Sequence, residues 1–385
     1  MDRSAAEGLN RRAALAWGAA AAALPQAGRA AQARPVIINA LGGLEDPNPG
    51  SPGARDHRDP LSFEKPDVND RAIREARAAG LTAVNVTLGY VAGEQESFEY
   101  SVRTIGAWDE TIRARPGDLI KVHTAADILR ARDTTRIGVI YGFQNAAMMG
   151  DKPERVDIFA DLGVRVIQLT YNPRNQLGGG ALDPEGRGLT PFGRQVVERL
   201  NARRVMVDLS HSGRQICLDA ARASKQPISI NHTGCRALAD LPRNKTDEEL
   251  RLVADKGGFV GIYFMPFLRV GGRATAKDVV AHIEHALKVC GEDHVGIGTD
   301  GNVTTLDDIA AYDKELAKEH AARVKAGVAA PGEAPGVYPF LLDLRGPEQF
   351  RKLDAMLRAR GHPQARVDKV MGLNFLRFAR EVWGA

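Results

Sequence analysis

Cysteine is scarce in this sequence: Cys217, Cys235 and Cys290 are the only three in 385 residues, and no two are in C-x-x-C spacing. That excludes a disulfide scaffold and a thiolate metal cluster. It leaves room for one disulfide in an oxidising compartment, with no pair selected by the sequence. Long hydrophobic runs are also missing. The longest, an alanine-rich stretch of about twelve residues ending at Leu24, is too short to span a bilayer, so no transmembrane anchor is expected. Aromatic residues make up 6% of the chain and there is no Lys/Arg block. A basic face for nucleic acid is therefore excluded. No G-x-G-x-x-G follows any strand-like run, which removes the usual dinucleotide fingerprint.

What is present begins with Arg11-Arg12, the apolar run to Leu24, Pro25 and a small-residue stretch Ala31-Gln32-Ala33. This order of features predicts a twin-arginine (Tat) export signal over residues 1–33, a single mature domain over 34–385 and a periplasmic location. A first helix of the domain is the other reading. Without residues 1–33 the chain carries 48 basic and 46 acidic residues, a balance of +2.

Eight short, β-branched and nearly all-apolar runs recur along the chain: 35–39, 82–87, 137–143, 164–170, 205–210, 227–231, 258–264 and 294–299. Continuous rather than alternating hydrophobicity fits parallel strands covered on both faces. Helical segments alternate with them. Residues 70–79 end at Gly80, Thr190-Pro191 opens a second helix, and Thr246 and Thr275 cap two more. This pattern predicts an α/β fold of the (β/α)8 TIM-type barrel class, with a doubly wound open sheet as the alternative. Long loops at 41–69 and 301–347, the second with a helix over 306–325, are expected over the C-terminal face.

Chemistry in such a barrel comes from side chains at the C-terminal strand ends. Gln144, Tyr171, His211, His232 and Asp300 occupy those positions here. His211 and His232 end adjacent strands, which allows two imidazoles to share a divalent ion, and Asp300 is placed to ligate it or to act as general base. His282, His285, His294, His320 and His362 fall on helices, loops or a strand start and read as surface residues.

Five stretches then make the chain resemble the renal (membrane) dipeptidase, M19-type family over about residues 35–380: Gly188–Gly193, Asp208–His211, Asn231–Thr233, Pro242–Asn244 and Gly372–Arg377. The resemblance implies a metal-dependent hydrolase of dipeptides or small amides with two zinc ions. It assigns His211 and His232 to one metal, Arg243 (with neighbouring Asn244) to the substrate carboxylate, and Asp300 to acid/base work. Tyr171 stands at the oxyanion-binding position and Gln144 at that of a bridging glutamate. The family's first-strand His-x-Asp falls on Leu41-Gly42-Gly43, which offers no ligand.

The expected site is therefore reduced. It holds at most one tightly bound divalent ion, zinc by resemblance, from His211, His232 and Asp300 with Gln144 or Tyr171 assisting; Glu45 and Asp46 are the candidate replacement carboxylates. Truncation of Arg243 is expected to weaken ligand binding with little effect on stability. The expected partner is a small molecule or dipeptide; a homodimer is one option for the assembly. Two other readings stay open: a barrel that has lost hydrolysis and binds or matures a peptide-like metabolite, and a non-hydrolytic isomerase or lyase.

Overall fold

The computed structural model of the chain describes residues 34–48 and 66–384; the proposed export segment and residues 49–65 lie outside the described residues. The described residues form nine parallel strands: β1 (Ile38–Gly42), β2 (Ala83–Thr87), β3 (Leu119–Lys121), β4 (Ile137–Phe143), β5 (Val164–Gln168), β6 (Met206–Asp208), β7 (Ser229–Thr233), β8 (Phe259–Ile262) and β9 (Val295–Ile297). Eight follow in the order β1-β2-β4-β5-β6-β7-β8-β9, while β3 pairs off this path against β4. All eight sequence-read strands are present. β3 was not expected, because three residues, Leu-Ile-Lys, carry no periodic signal.

β1 starts three residues later than the β-branched run suggests. Pro35 has no N–H for a ladder, and the first registered pair is Ile38 with Ala83. The strand end therefore falls at Leu41–Gly43. There the barrel closes against the end of β9. The Asp300 N–H donates to the Leu41 carbonyl (2.9 Å) and the Gly43 N–H to the Gly301 carbonyl (3.1 Å). The Asn39 side chain donates to Thr299 Oγ1 and accepts from the Thr299 N–H, both at 2.8 Å.

The opposite end of the barrel is plugged. Residues near the strand starts (Ile38, Ala83, Met206, Phe259) share one apolar cluster with Phe375, Leu376, Phe378, Val382 and Trp383 of the C-terminal helix Asn374–Trp383. Phe259 meets Phe375 edge-on, with ring centroids 5.2 Å apart. Side chains at the other ends of the strands thus have the open mouth to themselves, as barrel chemistry requires.

The helix caps form as the sequence suggests. Gly80 takes φ +73° behind the helix Asp70–Ala78, a conformation that costs glycine nothing. Thr190 Oγ1 accepts the Gly193 N–H, and Thr246 with Glu249 makes a reciprocal capping box. The excursion after β9 carries the helix Ile309–Lys325, started by the Asp308 carboxylate on the Ala311 N–H (2.9 Å).

One expectation is corrected. His282 is not a surface residue: it is 1% exposed, its Nδ1 accepts the Cys235 N–H (2.8 Å) and its Nε2 donates to the Leu268 carbonyl (2.9 Å). It ties the loop after β7 to the loop after β8. The disulfide state, which the sequence leaves open, is resolved: Cys217, Cys235 and Cys290 are all buried and free.

Candidate active site at the barrel mouth

The site is built on a polar network joining the ends of β6 and β7. Asp208, buried, accepts hydrogen bonds at Oδ1 from the Ser210 N–H (3.0 Å), the Ser210 hydroxyl (2.5 Å) and the Asn231 N–H (3.0 Å). Ser210 Oγ in turn accepts the His232 N–H at 3.1 Å. One carboxylate therefore fixes both strand ends, and the two imidazoles they carry lie with ring centroids 4.9 Å apart. Asp-Leu-Ser-His and Asn-His-Thr are two halves of this one network.

His211 is further constrained. Asn172 Nδ2 donates to the Val328 carbonyl (2.7 Å), so Asn172 Oδ1 is the acceptor for His211 Nδ1 at 2.6 Å. That leaves the Nε2 lone pair free, and the Arg243 guanidinium donates to it at 3.1 Å. Tyr171 stacks on the other face of the imidazole, with ring centroids 4.2 Å apart. Burial, then the Arg243 charge, holds both histidines well below their usual pKa, so both are neutral at pH 7. His232 differs in one respect: both its ring nitrogens are buried and without a hydrogen-bond partner.

Arg243 is 2% exposed and also donates to the Ser210 carbonyl at 2.7 Å. Among the described residues it has no carboxylate partner. Asp300 lies in the same pocket, with a left-handed backbone (φ 58°) followed by Gly301. That conformation is uncommon outside glycine and is best tolerated by Asp and Asn. Burial pushes the Asp300 carboxyl up to about 6, against the opposing pull of Arg243, Arg323 and a hydrogen bond from Gln144.

A cavity of about 200 Å³ brings Tyr171, His211, Arg243 and Asp300 together. His232 and Gln144 do not line it. Asn244 does not reach it either: its amide donates to the Ala239 and Phe267 carbonyls, and its oxygen accepts from Tyr263. The cavity has an apolar side, formed by Met265, Phe267, Leu316, Val337 and Pro339. Arg323 and Glu333, which the sequence reading did not single out, also line it. Their only local signal is a place in a long loop. Docking of Val328 on Asn172 helps bring that loop to the mouth.

Comparison with known sequences gives this arrangement a context. The sequence model of the membrane dipeptidase family, peptidase family M19, matches residues 69–329. The chain belongs to that family. An uncharacterized protein of the pqqA 5′ region of Klebsiella pneumoniae is 30% identical over 271 residues, covering 68% of this chain and 88% of that one. Dipeptidase tcpJ of Claviceps purpurea is 28% identical over 269 residues, which span 54% of its length. Among solved structures, an amidohydrolase from Pseudomonas aeruginosa superposes with a TM-score of 0.75 at 33% identity, over 92% of this chain and 98% of that chain. This membrane dipeptidase homologue is thus a hydrolase of the dipeptidase type on a TIM-type barrel, in a metallopeptidase family.

Membership implies a divalent ion, zinc in character, at the barrel mouth. The donor set here does not fit a two-ion centre. Leu41 has no donor atom, and a Cβ on Gly43 would stand 1.9 Å from Asn302 Oδ1, so the asparagine fills the space a first-strand carboxylate would use. The Gln144 amide is engaged with Asp300, and the His211 lone pair with Arg243. Among the described residues no three His, Cys, Asp or Glu side chains converge on one point. His232 retains free nitrogens, but one imidazole is a weak hold for any ion.

Proposed function

We propose that the mouth hydrolyses a dipeptide, or a comparably small amide, that carries a free carboxylate. Arg243 binds that carboxylate, Asp300 is the acid/base group and Tyr171 is the donor to the developing oxyanion. The observation that carries this reading is Asp300 and the carboxylate-free Arg243 in one pocket, with the Asp300 carboxyl held near neutrality. A water oxygen adds to the amide carbon as its proton passes to Asp300. The C–N bond then breaks as that proton reaches the leaving nitrogen. Calorimetric titration with a dipeptide and with its C-terminal amide tests the recognition half: the free acid should bind at least tenfold tighter, and equal affinity would remove Arg243 from that role.

The site retains at most one tightly held divalent ion. Metal analysis of the purified protein should find one equivalent or less per chain, lost on His232→Ala. Two equivalents would mean that the first-strand residues are not those at Leu41–Gly43. A second reading, a barrel that binds a peptide-like metabolite without cleaving it, is favoured by the Arg243 contact on His211 and by Asn302 in the space beside Gly43. Binding without cleavage, whichever divalent ion is supplied, would select it.

The protein is exported by the twin-arginine route to the periplasm. Arg11 and Arg12, ahead of the apolar run to Leu24 and the small-residue stretch Ala31-Gln32-Ala33, support this. Replacing both arginines by lysine should leave an uncleaved precursor in the cytoplasm; normal processing of that variant would contradict the route.

A further inference from the structure

A phenol is a better electrophile when its oxygen accepts a hydrogen bond from a cation, because its one proton is then free to point at a substrate oxygen and is polarised toward it. Tyr171 meets this condition. Its hydroxyl accepts from Arg323 Nη1 at 3.2 Å, and its ring is stacked against His211. Arg323 is itself held in a fork. Its Nε and Nη2 donate to the two Glu333 carboxylate oxygens at 2.7 and 2.8 Å, and Glu333 Oε1 also accepts the Ala330 N–H at 2.9 Å. The guanidinium is partly buried, with 27% of its side chain exposed, and all three residues line the cavity that holds Asp300. Arg323 lies in the last turn of the helix Ile309–Lys325, and the family match stops at residue 329, before Glu333.

We propose that Arg323, clamped by Glu333, is a positioning residue that presents the Tyr171 hydroxyl as the donor to the anionic oxygen of a tetrahedral carbon, so that the loop after β9 supplies this site with an electrophile made of phenol and guanidinium. This rests on the hydrolytic reading above. It adds a residue pair to that reading and explains how a mouth with few metal donors can hold a developing negative charge. The charged groups facing Tyr171 are Arg323, Arg243 and Asp300. Among the described residues facing Tyr171, Arg323 is paired to Glu333, and Arg243 is assigned to the substrate carboxylate in the reading above. The phenol is what remains.

A staple that merely pins the loop makes a different prediction from an electrophile holder, and two probes separate them. One is the dipeptide L-Ala-L-Ala. The other is its phosphinate analogue, whose tetrahedral anionic centre resembles the addition intermediate. Wild type should bind the phosphinate more tightly than the dipeptide. Arg323→Gln and Tyr171→Phe should each reduce phosphinate affinity by about 10- to 100-fold, somewhat below the loss of a direct oxyanion donor, while changing dipeptide affinity less than about threefold. Arg323→Lys should restore part of the preference. Equal losses for both probes, or an unchanged preference in Tyr171→Phe, would overturn the inference and reduce Arg323 to a loop staple. A wild-type protein that binds the dipeptide but prefers it to the phosphinate would overturn the inference alone. One that binds neither probe would overturn the hydrolytic reading, and the inference with it.

Discussion

Asp300→Asn should lower the turnover of a bound dipeptide by about 10²- to 10⁴-fold while leaving its affinity within a few fold. The substitution keeps the shape, and asparagine also tolerates the left-handed backbone that residue 300 adopts. It removes the cavity carboxyl that burial raises to about 6. The same group sets the pH dependence. In the proposed role Asp300 is a base only when ionised, so log kcat/KM should rise with pH through about 6 and then level off. Stability runs the other way. The folded pKa lies above the unfolded value of 3.8, so the folded state holds this proton more tightly, and its contribution is lost as pH rises through about 6. Asp300→Asn should therefore flatten the stability profile between about pH 4 and 6 as well as abolishing the kinetic titration. A variant that keeps wild-type turnover would remove Asp300 from the chemistry.

Arg243→Ala should weaken binding of a carboxylate-bearing dipeptide by about 30- to 1000-fold, the loss of roughly 2–4 kcal/mol for a charged, partly desolvated contact. The structure changes the second half of the expectation drawn from sequence. Arg243 is 2% exposed and donates to the Ser210 carbonyl and to His211 Nε2, so its removal strands two buried acceptors. A measurable fall in Tm should accompany the binding loss, each stranded acceptor costing about 1–3 kcal/mol. Arg243→Lys separates the effects, since it keeps the charge and loses the forked geometry. Its binding should fall while most of the stability returns. Unchanged affinity in both variants would leave Arg243 a structural residue of the β6–β7 junction.

The barrel was legible because each β/α unit declares itself locally. Ile137–Phe143 and Phe259–Ile262 are apolar on both faces, and the helices Pro191–Ala202 and Asp247–Asp255 between them open on threonine caps that need no knowledge of the rest of the chain. The strand-end residues followed from that repeat: Tyr171, His211 and Asp300 do meet in one cavity. What was not legible depends on contacts across large sequence distance. Arg323 reaches Tyr171 from 152 positions away, and Asn172 fixes the His211 tautomer while holding Val328 from 156 positions away. Arg243 was read as a group leaning over the mouth, and no spacing rule shows that its guanidinium also covers a histidine lone pair. Asn244, adjacent in sequence, turns inward to brace its own loop. The side-chain direction of each is set by neighbours on other strands, which the sequence order does not reveal.

In the proposed reaction this mouth cleaves a small amide with Asp300 as its base. The direct measurement is release of free amino acid from a panel of unblocked dipeptides by the purified protein, with and without added divalent ions, alongside Asp300→Asn. Steady release by the wild-type protein is expected, with none from dipeptides whose C-terminal carboxylate is amidated and none above background by the variant. Tight binding of dipeptides with no release under any ion would contradict it and leave a binding protein on a dipeptidase barrel.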